Sequence, residues 1–303
     1  PRRSRQGETV KDHTMSAYET VTNKIIAMLE AGTAPWSKSW ASGGPMGRPL
    51  RATGEGYQGI NTLILWGAAQ DGGYKSRYWL TYKAAQAAGG QVRKGEKATT
   101  VFFFTKVAKA ATETEEAKMF PLMKSYFVFN ADQCDGLAAP YLAPPAPPAP
   151  MPIGERHVGA DAFALATHAV IRHGGARAFF SPSQDIVQMP QFADFDTPEA
   201  YYAVLLHELT HWSGHKSRLD RSLKGRFGDP NYAFEELIAE LGAAYLCADL
   251  GVSIEPRPDH ASYIAGWIKG LRDDPRAIFR AAAAAEKAAA YLHAATEPMA
   301  VAA

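Results

Sequence analysis

Cysteine is almost missing from this chain: Cys134 and Cys247 are the only two in 303 residues. Two thiols cannot build a disulfide framework, so the expected setting is a reducing cytoplasm. Long apolar runs are missing too. No stretch approaches the roughly 18 residues that a membrane-spanning helix needs, and Glu286 and Lys287 interrupt the alanine-rich segment near the end. The basic opening PRRSRQGETVKDHT has no apolar stretch behind it. It does not read as a secretory signal, and residues 1–14 are expected to be a disordered tail. An excess of one charge is also lacking, with 32 basic and 31 acidic side chains. What is present, 47% hydrophobic and 11% aromatic residues, excludes a wholly disordered chain. The length suggests two domains.

One segment divides the chain. Residues 138–152, AAPYLAPPAPPAPMP, hold seven of the 20 prolines and no charge. That composition predicts a semi-rigid, extended linker. The two flanks differ in charge. Residues 1–137 carry 18 basic and 12 acidic side chains, net +6, whereas residues 153–303 carry 14 and 19, net −5. A basic module joined to an acidic one suggests that only the first meets a polyanion.

In the first part, residues 15–31 place Val21, Ile25, Ile26 and Leu29 at helical spacing, with Gly32 as the stop. A second apolar helix follows Gly59, another follows Tyr82, and two strands are expected within 92–107 and 124–134. Phe102, Phe103, Phe104, Phe127 and Phe129 are expected to be mostly strand core. Aromatic and basic residues interleave outside these apolar faces. Single-stranded nucleic acid needs both, because rings stack unpaired bases while Lys and Arg neutralise phosphates. The candidates are Trp36, Trp40, Tyr57, Asn61, Arg77, Tyr78, Trp79, Lys83, Arg93, Lys94 and Lys97. For any single ring a core role is the competing reading.

In the second part, residues 160–172 are expected to be helical, and ARAFFSP and DIVQMP to be two short strands joined by a turn. Then comes a helix started by Pro198 that contains His207-Glu208-Leu209-Thr210-His211. In this H-E-x-x-H spacing the two imidazoles share a helix face and reach one metal. Glu208 can then serve as general base. Zinc suits two histidines completed by a carboxylate, and another divalent transition metal is the alternative. The third ligand is expected from the next helix, AFEELIAELGAAYLCADLG. His215, eight residues after His207, is a rival, but Gly214 should end the helix before it. Farther on, His260 or Tyr263 could stabilise an oxyanion, with packing or surface roles as the alternative.

Two resemblances sharpen this. Glu236-Leu-Ile-Ala-Glu240 resembles the E-x-x-A-[DE] element of glutamate-zinc peptidases. That implies Glu236 as the ligand and Glu240 as support for a histidine, with the opposite order left open. Glu235, about 100° round the helix, is expected in solvent. The metzincin pattern is not met, because Ser217 stands where its third histidine would be. The blocks PWSKSW, GYQGIN, RYWLTYKAAQAAGGQVRKGEK and YFVFNADQC, then HELTHWSGHKSRLDR and YAFEELIAELGAAYLCADLG, resemble ArdC-type antirestriction proteins across nearly the whole chain. The first module is also similar to one found in some plasmid-encoded primases.

The family resemblance implies an α+β fold of two domains. Residues 15–137 would be a single-stranded-DNA-binding module and residues 153–303 a zincin-like metallopeptidase domain. It implies an antirestriction protein of a conjugative plasmid that protects incoming single-stranded DNA. A host restriction protein or another DNA-bound protein is a further partner, and no membrane is involved. The competing reading is a zinc peptidase that DNA merely localises.

Overall fold

The computed structural model describes residues 15–36, 47–109, 118–142, 151–223, 229–253 and 260–296. Helix α1 (Ala17–Glu30) starts at a capping box between Ser16 and Glu19. These side chains satisfy backbone N–H groups that the first helical turn leaves open. Helix α2 (Ile60–Gly72) ends on Gly73, whose φ of 65° closes the left-handed cap. Strand β1 (Trp79–Leu80), helix α3 (Tyr82–Ala87, capped by Thr81), β2 (Gln91–Val92), β3 (Thr99–Lys109), β4 (Lys118–Asn130), β5 (Cys134–Asp135) and the single turn α4 (Ala139–Leu142) complete the first half. The strands pair antiparallel in the orders β1-β4-β3 and β2-β5.

The second half runs α5 (Val158–Ala166), β6 (Val170–His173), β7 (Phe179–Ser181), β8 (Ile186–Met189), α6 (Pro198–Ser213), α7 (Pro230–Leu250), α8 (His260–Asp273) and α9 (Ala277–Thr296). Its small sheet has the order β6-β8-β7, and β7 is an edge strand. Helix α6 carries Pro198 in its first turn, capped by Thr197, and stops before Gly214. Helix α7 packs on both α6 and α9. It is therefore buried on nearly every side from Glu235 to Ala248.

Three expectations change. The helix expected over 160–172 ends at Ala166, where the Thr167 hydroxyl turns back to the Ala164 carbonyl and His168 takes φ 59°. Val170 and Ile171 then pair with β8, and this ladder outweighs continuing the helix. Only Phe102 of the phenylalanine group is fully buried; Phe103, Phe104 and Phe127 are 57%, 50% and 63% exposed. The β3–β4 ribbon runs past the body that would have covered them. In the segment 138–152, Ala139–Leu142 is helical and Tyr141 packs edge-on against Tyr78; residues 143–150 lie outside the described residues.

One continuous apolar core joins the two halves, running from Ile25, Leu29, Trp36, Leu63 and Trp66 into α5–α9. Arg48 crosses the same boundary. Its guanidinium grips both carboxylate oxygens of Asp249 at 2.9 Å and one oxygen of Glu286 at 2.7 Å. It also lies 4.5 Å over the Tyr245 ring.

Candidate metal centre

Helix α6 supplies His207, Glu208 and His211, and α7 supplies Glu235, Glu236 and Glu240. All six are largely buried. His207 Nε2 and His211 Nε2 face each other at 3.2 Å. The two oxygens of Glu236 reach them from below, Oε2 at 3.5 Å from His207 Nε2 and Oε1 at 3.5 Å from His211 Nε2. These three side chains offer ligand atoms within 4.8 Å of one another. Two imidazoles and one carboxylate, converging and sheltered, form a donor set that fits a divalent cation.

The outer nitrogens matter equally, because a partner on Nδ1 fixes which nitrogen faces the metal. Glu240 Oε2 lies 3.5 Å from His207 Nδ1, on the far side of the ring from Glu236, within ion-pair reach but without a hydrogen bond to that nitrogen. Glu235 overturns the expectation that it would be solvated. It is 6% exposed, and its Oε1 lies 3.2 Å from His211 Nδ1 and 2.8 Å from an Nη of Arg221. The reason is that α7 has no solvent face at this turn.

Burial opposes protonation of His211, yet the Glu235 and Glu236 carboxylates outweigh it and hold the imidazole up to about 10. Burial alone would raise Glu236. Hydrogen bonds with His207 and His211 reverse this and hold its carboxyl well below the usual range.

Glu208 opens into a cleft of about 660 Å³ beside the triad, walled by Phe179, Phe180, Phe195, Val204, Tyr232 and Tyr263. Tyr263, one of the oxyanion candidates, has its hydroxyl 3.3 Å from that of Tyr232; the His260 side chain lies outside the described residues. His215 falls past the helix end, with Nδ1 2.7 Å from Ser217 Oγ, and is not part of the triad.

The comparisons meet this geometry. Residues 15–129 match the N-terminal domain of the anti-restriction factor ArdC, and residues 158–284 match a zincin-like metallopeptidase family. The metal-free crystal structure of the antirestriction protein ArdC from plasmid R388 superposes with a TM-score of 0.79 at 47% identity, over 93% of this chain and 98% of that one. The chain belongs to the ArdC antirestriction family. The Mn(II)-bound structure of the R388 protein matches with a TM-score of 0.77 at 45% identity, over 94% of this chain and all of that one. An uncharacterized protein of Sinorhizobium fredii, y4eC, is 45% identical over 91% of each chain. DNA primase TraC of Escherichia coli is 40% identical over 89% of this chain, but the match spans only 26% of the primase. The fold is thus that of ArdC, two domains of mixed helices and strands.

The nucleic-acid candidates of this ArdC family member scatter. Trp36, Tyr57 and Trp79 are 0%, 2% and 1% exposed. They are core: Trp36 meets Trp267 edge-on, and Tyr57 and Trp79 share a cluster with Val101 and Val128. A base could reach these rings only by unpacking the core, which corrects their reading as stacking platforms. Asn61 is also buried, bonding both the carbonyl and the N–H of Phe102 at 2.7 and 2.8 Å. It braces β3 from inside the core.

Tyr78 is half-buried against Tyr141. Arg77, also half-buried, donates from Nε to the Arg48 carbonyl at 3.0 Å. Lys83, Arg93, Lys94 and Lys97 are exposed, although Arg93 is paired with Glu96 and Asp135. Trp40 lies outside the described residues. The exposed rings that sequence reasoning missed are Phe103, Phe104 and Phe127. Three consecutive phenylalanines in a strand cannot all face one side, and that signal was available.

Proposed function

We propose that this chain is an antirestriction protein of a conjugative plasmid. It binds single-stranded DNA through its first half and carries zinc at His207, His211 and Glu236 in its second. The observation that carries the reading is this preassembled triad in a chain of the ArdC family. No helix among the described residues is long and apolar enough to cross a membrane, and the net +6 of residues 1–137 suits a polyanion.

A cation held by the triad supplies Lewis-acid polarisation of a peptide carbonyl. The protein's own groups do the rest. Glu208 takes a proton from the attacking water on a carboxylate oxygen and returns it to the leaving amide nitrogen. Glu235 and Glu240 keep the two imidazoles oriented, and the aromatic walls of the cleft exclude bulk water. The retained Glu208 favours a second reading, a DNA-localised metallopeptidase acting on DNA-bound proteins, because a purely structural metal site has no use for that base.

Plasmid transfer into restricting and non-restricting recipients separates the two. Glu208→Gln keeps size and polarity but removes the base. If covering the DNA is enough, transfer into restricting cells stays at the wild-type level. If hydrolysis is required, it falls to the level without the protein while metal content, DNA affinity and melting temperature are unchanged.

A further inference from the structure

The β3–β4 ribbon is held to the body on one face by Phe102, Phe104 and Met123, and its other face loses its cover beyond Val101. Beyond Leu80, which pairs with Phe129, β1 no longer flanks β4. From there outward β3 and β4 pair only with each other. On one face of the ribbon Phe103 lies opposite Lys124, and on the other Phe127 lies opposite Thr100. Phe103 is 57% and Phe127 63% exposed, while Phe104 keeps an edge contact with Phe279 of α9. Helix α3, which packs on β4, has Tyr82 and Lys83 exposed.

Exposed rings on a two-stranded ribbon are available for stacking. The charge pattern selects the partner. Among the described side chains of the two strands, 99–105 and 122–130, the one charged group is the exposed Lys124, and it stands opposite Phe103. A surface for a folded protein would be expected to carry both signs and a shaped apolar pocket. Exposed rings beside a lysine, with no carboxylate among the described side chains of either strand, match the needs of unpaired bases on a phosphate backbone.

We propose that this ribbon is the stacking surface for single-stranded DNA, with Phe103 and Phe127 as the rings and Lys124, opposite Phe103, and Lys83 of α3 as phosphate contacts. The inference rests on the reading that the chain binds single-stranded DNA, and replaces its buried tryptophans with these two rings. The rings lie on opposite faces, three positions apart along β4, roughly 10 Å. A strand that engages both therefore crosses the edge of the ribbon.

The test uses the full chain with an oligothymidylate and a blunt duplex of equal length, at fixed salt. Phe103→Leu and Phe127→Leu keep apolar bulk without a ring, and Phe127→Trp restores one. Each Leu variant should weaken oligothymidylate binding on the order of tenfold. The double variant should lose more, and Phe127→Trp should bind like the wild type. Melting temperature and metal content should not move. Wild-type binding with no loss in the double variant would overturn the ribbon proposal while leaving DNA binding intact. A wild type that ignores the oligothymidylate would remove the underlying reading instead. Equal affinity for the duplex, or wild-type self-association that the Leu variants abolish, would reassign the rings and also overturn the proposal.

Discussion

At His211 the environment decides how metal binding depends on pH. Its imidazole is held up to about 10 against 6.5 for the free side chain, because the Glu235 and Glu236 carboxylates outweigh burial. A group whose folded value is raised contributes stability that is fully present below its unfolded value and lost as pH rises through the folded one. With metal stripped by a chelator, the melting temperature should therefore fall as pH climbs from about 6.5 towards about 10. Metal must displace the same proton. Its affinity should rise across that window, with about one proton released per ion near pH 8. Calorimetry in buffers of different ionisation enthalpy counts that proton. Release of none would show that His211 is already neutral and that its two carboxylates do not act on it as described.

Helices α6 and α7 must approach closely for their side chains to share one ion, and Gly242 sets the distance. A Cβ built at Gly242 would sit 2.5 Å from Thr210 Cγ2 and 2.8 Å from its Oγ1. Helix propensity alone favours alanine over glycine by about 1 kcal/mol. Overpacking a tight contact costs typically about 1–3 kcal/mol, and Thr210 cannot move aside because its hydroxyl is bonded to the Leu206 carbonyl at 2.8 Å. Gly242→Ala should thus lower the melting temperature and weaken metal binding together, by moving Glu236 and Glu240 away from the histidines. A higher melting temperature with unchanged metal affinity would show that propensity wins and that the helices are not in tight contact.

This scale also shows what could be read from sequence. The spacing within each helix was legible, so His207, Glu208, His211, Glu236 and Glu240 could be named together. The pairing of Glu235 with His211 and Arg221 was not, because it depends on which neighbours surround α7. The strand after Ala166 was missed for a similar reason. A short apolar run has no periodicity of its own to separate helix from strand, and β8 decides the matter.

Over the whole molecule, composition suggested two separable modules of opposite charge, whereas the structure places one core across both. Ile25, Leu29, Trp36 and Trp66 of the first half are buried with helices of the second, so cutting the chain between the halves would expose them to water. The Arg48 node adds a polar tie at the same boundary. Asp249 and Glu286 are each about a fifth exposed and share this one guanidinium. Removing one partner of a buried ion pair costs roughly 3–5 kcal/mol, somewhat less here because water reaches both carboxylates. Arg48→Met should accordingly destabilise both halves together. The two free cysteines report on this independently, since Cys134 is buried in the first half and Cys247 in α7. In a urea series both thiols of the wild type should become open to alkylation at one concentration, and in Arg48→Met both should do so at a lower one. Labelling of Cys134 well before Cys247 would show instead that the halves unfold separately and that the shared core does not couple them.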